Sequence, residues 1–106
     1  MTLDLHIQFE WDLEKEKINI AKHKLSFTDA CHVFADIFQL NLFDERHSDD
    51  EDRWAVIGEI PVMKIVVVVH TIRQGYDDDD DARVRIISAR KATKKEREAY
   101  LARRPQ

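Results

Sequence analysis

The chain is poor in the residues on which most small enzymes build a site. Two glycines in 106 residues provide no Gly-rich loop to cradle a phosphate. There is no G-x-S-x-G elbow, and the single cysteine, Cys31, has no base placed beside it. One cysteine also excludes an internal disulfide and a cysteine-based zinc site; in a helix-like stretch such a thiol reads as core. His6, His23, His32, His47 and His70 show neither HxH nor HxxxH spacing, and Asp77–Asp81 lacks the alternating ligands and glycine of a calcium loop. No metal and no cofactor is expected. The longest apolar run, Ile65–Val69, is far too short to span a bilayer, so no membrane partner is expected. The first residues, MTLDLHIQFEWD, alternate in polarity without a basic start, so no signal peptide is expected, and the expected location is the cytoplasm.

What the chain does have is enough apolar content (43%) for one globular core, expected as a single domain over residues 1–106. Charged residues reach 36%, with a net charge of −4. That average argues against a nucleic-acid partner. Its distribution argues otherwise: residues 1–40 carry −3, residues 41–83 carry −7 and residues 84–106 carry +6. An acidic body followed by a basic segment implies an electrostatic partner.

Residues 3–10 alternate as a half-buried strand. Asp12 predicts an N-cap for a helix over about 13–23, with Lys22 and His23 in its last turn. Ser26 caps a second helix whose stripe is Phe27, Ala30, Cys31 and Phe34, ending near Ala35. Strand-like runs follow at 38–43, 53–60, 62–72 and 83–89, with Gly58 and Pro61 marking a bend between the second and third of these. Val66–Val69 predicts a central strand covered on both faces. The aspartate run at 77–81 predicts a solvated loop. Thr93 and Glu96 form a capping box for a final helix, with Arg103–Gln106 fraying. The order β-α-α-β-β-β-β-α predicts an α+β fold, a small, mainly antiparallel sheet with two N-terminal helices and one C-terminal helix.

Three constellations bear chemistry. Lys15, Asn19, Lys22 and His23 share one side of the first helix, suited to gripping phosphate or moving protons, or forming a plain solvated face. On the last strand Arg83 and Arg85 are expected on one face, while Val84, Ile86, Ser88 and Arg90 share the other. An arginine extending an apolar row needs an anion, either a phosphate or a structural carboxylate from Glu10, Asp12 or Glu96. Arg73 follows the most apolar strand, at a strand end where a cleft can open.

These residues converge on a family. F-E-W-D at 9–12, Lys15, Asn19, K-H at 22–23, S-F at 26–27, R-W at 53–54, Gly58, T-x-R at 71–73 and R-I-I-S-A-R-K-A-T-x-x-E-R-x-x-Y at 85–100 resemble the BrnT toxin family. The resemblance implies a RelE-like fold and the toxin of a type II toxin–antitoxin system. It implies a metal-independent ribonuclease that arrests growth, held by a DNA-binding, BrnA-type antitoxin through which alone it would meet operator DNA. Two positions depart from the family pattern: Lys24 stands where a glycine is usual, and Asp77–Asp81 lengthens the last loop.

Metal-free RNA cleavage uses the 2′-OH as internal nucleophile and needs a stabilised phosphorane and proton transfer. On this reading Arg73 and Arg90 stabilise the phosphorane. His23 or Lys22 moves the proton, histidine being the better-suited type. Glu96 or Tyr100 assists or orients Arg90. Trp11 stacks a base, or packs in the core. Lys15, Arg85 and Lys91 hold backbone phosphates. The competing class is a non-catalytic nucleic-acid-binding or regulatory module, an inactive relic of such a toxin.

Overall fold

Short caps and one sheet with two unequal faces organise the chain. The computed structural model describes residues 2–3, 7–45, 51–62, 64–73 and 82–105. Strands β1 (Thr2–Leu3) and β2 (Ile7–Glu10) precede helices α1 (Leu13–His23) and α2 (Phe27–Ala30). A 3-10 turn, Cys31–Ala35, continues α2. Then come β3 (Leu40–Phe43), β4 (Trp54–Ile60), β5 (Lys64–Arg73), β6 (Ala82–Lys91) and helix α3 (Lys94–Leu101). Among these described residues no helix is long and apolar enough to cross a membrane.

The predicted caps form. Asp12 Oδ1 accepts the N–H groups of Glu14 and Lys15 at 2.8 and 3.2 Å, and Ser26 Oγ accepts that of Asp29 at 3.1 Å. Thr93 and Glu96 complete a capping box. The second helix is only one α-turn before it tightens to 3-10. In that winding residues three apart align, so Ala30 with Val33 and Cys31 with Phe34 make two adjacent buried rows against the sheet.

The sheet order is β1-β2-β6-β5-β4-β3. The α+β class stands and four of the five strand pairings are antiparallel, but the sheet departs from expectation in two details. The single strand expected at 3–10 is two strands, paired antiparallel to each other; residues 4–6 lie outside the described region. And β2 runs parallel to β6, so the sheet is mixed. The hairpin logic that orders β3 to β6 does not reach β2, which is followed by a helix and docks on the outer edge left by the last strand.

One sheet face packs on α2 and the 3-10 turn, with Phe9, Val56, Val66, Val68, Val84, Ile86 and Ala89 against Phe27, Ala30, Val33 and Phe34. Among the described residues the other carries a smaller cluster, where Tyr100 of α3 meets Ile57 and Val67 with Phe38, Leu40, Ala55, Ile65 and Ala92 packed against them. β5 is central as expected, though its two faces are covered unequally.

Gly58 is not at a bend. It lies inside β4, where a Cβ would stand 2.7 Å from Val33 Cγ2, so its absence lets the 3-10 turn seat on the strand. Asp36 closes this contact by accepting from the N–H groups of Phe38 and Glu59 at 2.9 and 2.8 Å and from the Tyr100 hydroxyl. Burial opposes its charge, but those donors outweigh burial and hold its pKa below the usual value. The tail does not simply fray: Arg104 pairs with Glu59 at 3.2 Å and lies over the Phe38 and Tyr100 rings. The aspartate run at 77–81 lies outside the described residues.

Helix α1 ends at Lys24 in the left-handed region, φ 58° and ψ 31°, its N–H reaching the Ile20 carbonyl at 2.9 Å. The helix therefore keeps the termination that glycine would favour, at a steric cost of about 1–2 kcal/mol for an L-residue. Lys24→Gly should raise stability by about 1 kcal/mol, and Tm by about 4–8 °C, in thermal unfolding. An unchanged or lower Tm would contradict this account of the helix end.

Candidate functional site

A β-bulge decides which side chains of β6 share a face. Val69 stands opposite Ser88 and His70 opposite Ile86, which leaves Ile87 as the extra residue. Before the bulge Val84 and Ile86 face the helices; after it Ala89 does. Ser88 and Arg90 are thereby moved to the face of Arg83 and Arg85. Strict alternation had placed Arg90 on the apolar row of Val84 and Ile86. The extra residue reverses that and puts three arginines of β6 on the sheet's more open face.

Just past the bulge, where β2 has ended, the outer edge of β6 is met by Asn19 of α1. Its Nδ2 donates to the Ala89 carbonyl at 2.9 Å and its Oδ1 accepts the Ala89 N–H at 3.1 Å, as a neighbouring strand would. Nδ2 also donates to the Leu25 carbonyl at 2.9 Å. Asn19 is the one buried residue of α1. By docking there it lays the helix beside β6 and leaves a groove of about 210 Å³ lined by Lys15, Ile18, Asn19, Lys22, His23, Ile87 and Ser88. Lys15, Lys22 and His23 are thus brought together as the helical spacing predicted. His23, partly buried, also borders a second hollow of about 190 Å³ with Lys24, Lys64, Val66 and Lys91.

So five lysines surround one histidine: Lys15, Lys22, Lys24, Lys64 and Lys91. None of the five has an ion-pair partner among the described residues. From the sequence Lys24 stood out only as a helix-end residue, and Lys64 not at all. Lys64 comes from β5, distant in sequence, and no local pattern pointed to it.

Arg90 follows Ser88 by two residues, about 7 Å along the strand. Its guanidinium grips Glu96 in a fork, Nη1 to Oε1 at 2.7 Å and Nη2 to Oε2 at 2.9 Å. Nη1 also donates to the Lys91 carbonyl at 3.4 Å. Among the described residues this leaves Nε–H and one Nη2–H for another anion. The Arg90 fork, aided by the Thr93 N–H, holds the Glu96 carboxyl down at about 2, so Glu96 stays a carboxylate that orients Arg90 and caps α3.

The remaining candidates separate. Tyr100 is fully buried, its hydroxyl given to Asp36 and its pKa raised to about 12 chiefly by burial; it is a core residue, out of reach of a polynucleotide. Trp11 is half-buried and sets its ring edge-on to Phe27 at 6.0 Å, a packing role. Arg73 shares the face of Arg90 but not its end of the sheet. Val67 stands opposite Arg90, and Arg73 lies six residues further along β5, about 20 Å away. Arg73 Nε donates to Glu51 at 3.1 Å. Arg85 stands opposite Glu10 on β2, and its field reaches Glu51 and Asp12. The Arg73–Arg83–Arg85 end is thus interleaved with acids; at the other end Lys15 of the His23 groove also lies in the field of Asp12. Among the described residues no group of three or more His, Cys, Asp or Glu is placed to hold a metal ion.

Comparisons with known proteins place the chain beside known relatives. A family model described as "Ribonuclease toxin, BrnT, of type II toxin-antitoxin system" matches residues 11–96, an interval that contains Lys15, Asn19, Lys22, His23, Arg73 and Arg90 and stops short of Tyr100. Among solved structures the chain is similar to the Brucella abortus ribonuclease toxin BrnT, known from a 1.1 Å crystal structure. Identity is 26% and the TM-score 0.56, over 83% of this chain and 99% of that one. The comparison with curated proteins found no match.

Two stability measurements check the site's scaffold. Asn19→Ala leaves the Ala89 N–H and two carbonyls without their partner, so urea unfolding should show a loss of about 3 kcal/mol or more. Asn19→Asp should be as damaging, because a carboxylate offers no donor to those carbonyls; a mild effect in both would remove the clamp from this account. For Glu96 the folded pKa lies below the ordinary value of 4.5, at about 2. Its stabilisation is therefore present above about pH 4.5 and lost as pH falls toward 2. With screening at the partly exposed Arg90, the effect is on the order of 1–2 kcal/mol. Glu96→Gln should flatten that part of the stability–pH curve, and an unaltered acid limb would exclude the pair as its source.

Proposed function

The chain belongs to the BrnT family of ribonuclease toxins of type II toxin–antitoxin systems, and from that premise we propose that it is one RelE-like toxin domain that cleaves RNA without a metal and arrests growth. The observation that carries the reading is the lysine-ringed His23 in the groove beside the bulge of β6, with Arg90 on the adjoining face.

In the proposed reaction the substrate's 2′-oxygen attacks its own phosphorus. A bond from the 2′-oxygen to phosphorus forms and the bond from phosphorus to the 5′-oxygen breaks. The 2′-OH proton is taken up and the leaving 5′-oxygen is protonated. The products are a 2′,3′-cyclic phosphate and a 5′-hydroxyl, and DNA, lacking the 2′-OH, is spared. His23 is the proton-transfer group, since it is the imidazole inside the cationic groove. Lys15, Lys22 and Lys91 bind flanking phosphates, and their unpaired ammonium groups attract the strand before contact. Arg90 offers its remaining N–H groups to the extra negative charge of the phosphorane, held in orientation by Glu96. Arg73 and Arg85, further along the same face, guide the strand rather than meet the same phosphorus.

The partner is a BrnA-type DNA-binding antitoxin that covers the cationic groove, and operator DNA is reached only through that complex. A binding-only module has one observation in its favour: Arg90 and Arg73 each already hold a carboxylate. The two readings differ in product, since only the ribonuclease generates new RNA ends.

Purified, antitoxin-free protein should cleave RNA in the presence of EDTA and leave the expected ends. His23→Ala and Arg90→Ala should each lower the rate by about 10²–10³. Arg73→Ala, remote from that phosphorus, should lower it less than tenfold and act on KM. Growth arrest on induced expression should follow the same order and be relieved by the antitoxin. Full activity in both His23→Ala and Arg90→Ala, with folding intact, would defeat the assignment; RNA binding without new ends would favour the binding-only module.

A further inference from the structure

The acidic stretch of the chain has no part in the ribonuclease reading, and strand β3 stands at its start. β3 is last in the sheet order, so one of its edges has no strand beside it among the described residues. The register shows what that edge offers. The Asp44 N–H donates to the Arg53 carbonyl at 2.8 Å, which makes these two a hydrogen-bonded pair. Bonded pairs alternate in an antiparallel ladder, so Leu42 bonds to Ala55 and Leu40 to Ile57. Asn41 and Phe43 stand between them, and their backbone N–H and C=O groups point away from β4. Both residues are exposed.

Edges of this kind are usually guarded by a lysine, a proline, a bulge or a cover. Residues 25–60 contain neither lysine nor proline, and the register of β3 with β4 is unbroken. The edge is also apolar on both faces. Leu42 is 47% exposed on the face where Leu40 joins the Tyr100 cluster. Phe43 is 43% exposed on the opposite face, its ring 5.2 Å from that of Trp54. A strand laid here gains ladder bonds and buries both side chains.

Charge selects the strand. Glu45, just past β3, and Asp52, just before β4, are exposed and form no ion pair among the described residues. Glu51 is already held by Arg73. Among the described residues of 36–60 the one base is Arg53, across from Asp44. A second copy of β3 would bring its own acidic stretch and no lysine to answer these carboxylates.

We propose that the free edge of β3 is a docking site for an extended, apolar segment of a partner protein flanked by lysine or arginine. The backbone of that segment bonds to Asn41 and Phe43, its apolar side chains cover Leu42 and Phe43, and its cation meets Glu45 and Asp52. The surface lies at the sheet edge away from the Asn19 clamp, so its occupancy does not depend on RNA cleavage.

The probes are two capped peptides, Lys-Thr-Val-Val-Val-Thr-Lys and its glutamate-flanked twin Glu-Thr-Val-Val-Val-Thr-Glu. Each is titrated into the full-length protein at low ionic strength and followed by amide NMR and hydrogen exchange. The lysine-flanked peptide should bind saturably and about tenfold more tightly than its twin. At saturation it should slow exchange at Asn41 and Phe43 about tenfold, while Leu40 and Leu42, already in the ladder, change little. Glu45→Lys combined with Asp52→Lys, both at exposed positions, should reverse the order of the two peptides. Asn41→Pro should weaken binding of the lysine-flanked peptide, because it removes an outward N–H and no ladder bond. The proposal is overturned if that peptide does not saturate, if the two peptides bind the wild-type protein equally, or if the protected amides lie away from Asn41 and Phe43. Protection of those two amides in the protein alone, rising with its concentration, would overturn it in favour of self-pairing. The wild-type comparison decides the matter even if Asn41→Pro does not fold.

Discussion

Everything proposed for the active site rests on the double hydrogen bond between the Asn19 side chain and the backbone of Ala89. Past Arg85 the outer edge of β6 has no strand beside it, and an unpaired buried edge is costly. A carboxamide presents a donor and an acceptor with the spacing of a peptide unit, so it satisfies that edge without a further strand. In doing so it pins α1 against β6 and sets the distance across the groove. Lys15, Lys22 and His23 are exposed or partly exposed side chains on a helix that otherwise has few buried contacts. Their position relative to the sheet comes from Asn19.

The bulge at Ile87 is the second constraint. With regular alternation Arg90 would point into the helical core among Val84 and Ile86, where its charge would demand a buried partner. The extra residue returns Ala89 to the core, which has room for a methyl group, and moves Arg90 out to Glu96. Charge then segregates along the molecule. Arginines at the Arg73 end stand beside Glu10 and Glu51, while the lysines around His23, from α1 and its cap, β5 and β6, form no ion pair among the described residues. On the proposed reading an anionic strand is drawn to those unpaired lysines, at the end that holds the imidazole.

Much of this was legible along the chain. The caps at Asp12, Ser26 and Thr93 and the span of α1 follow from side chains that bond to backbone within three residues, and such local chemistry survives in any fold. The grouping of Lys15, Lys22 and His23 follows equally from helical spacing. The orientation of Arg90 did not, because a bulge leaves no reliable mark in composition. Gly58 signalled a turn by its type, but its reason is a close approach of Val33, a residue 25 positions away. Tyr100 fitted the family block beside Arg90 and Glu96, yet its ring faces Ile57 and Val67 and its hydroxyl faces Asp36, all contacts of long range.

By itself, then, the sequence determined the family, the local elements, the basic bias of the last 23 residues and the residue types able to cleave RNA. Those depend on neighbours in the chain, whose interactions are decided by spacing. Only the tertiary structure decided that β2 runs parallel to β6, that Arg73 stands far from Arg90 and that Lys64 joins the ring around His23. Those depend on which strand edges remain to be satisfied once the core has closed, a condition met by residues as distant as Asn19 and Ala89, 70 positions apart, or Ile7 and Ala82, 75 apart.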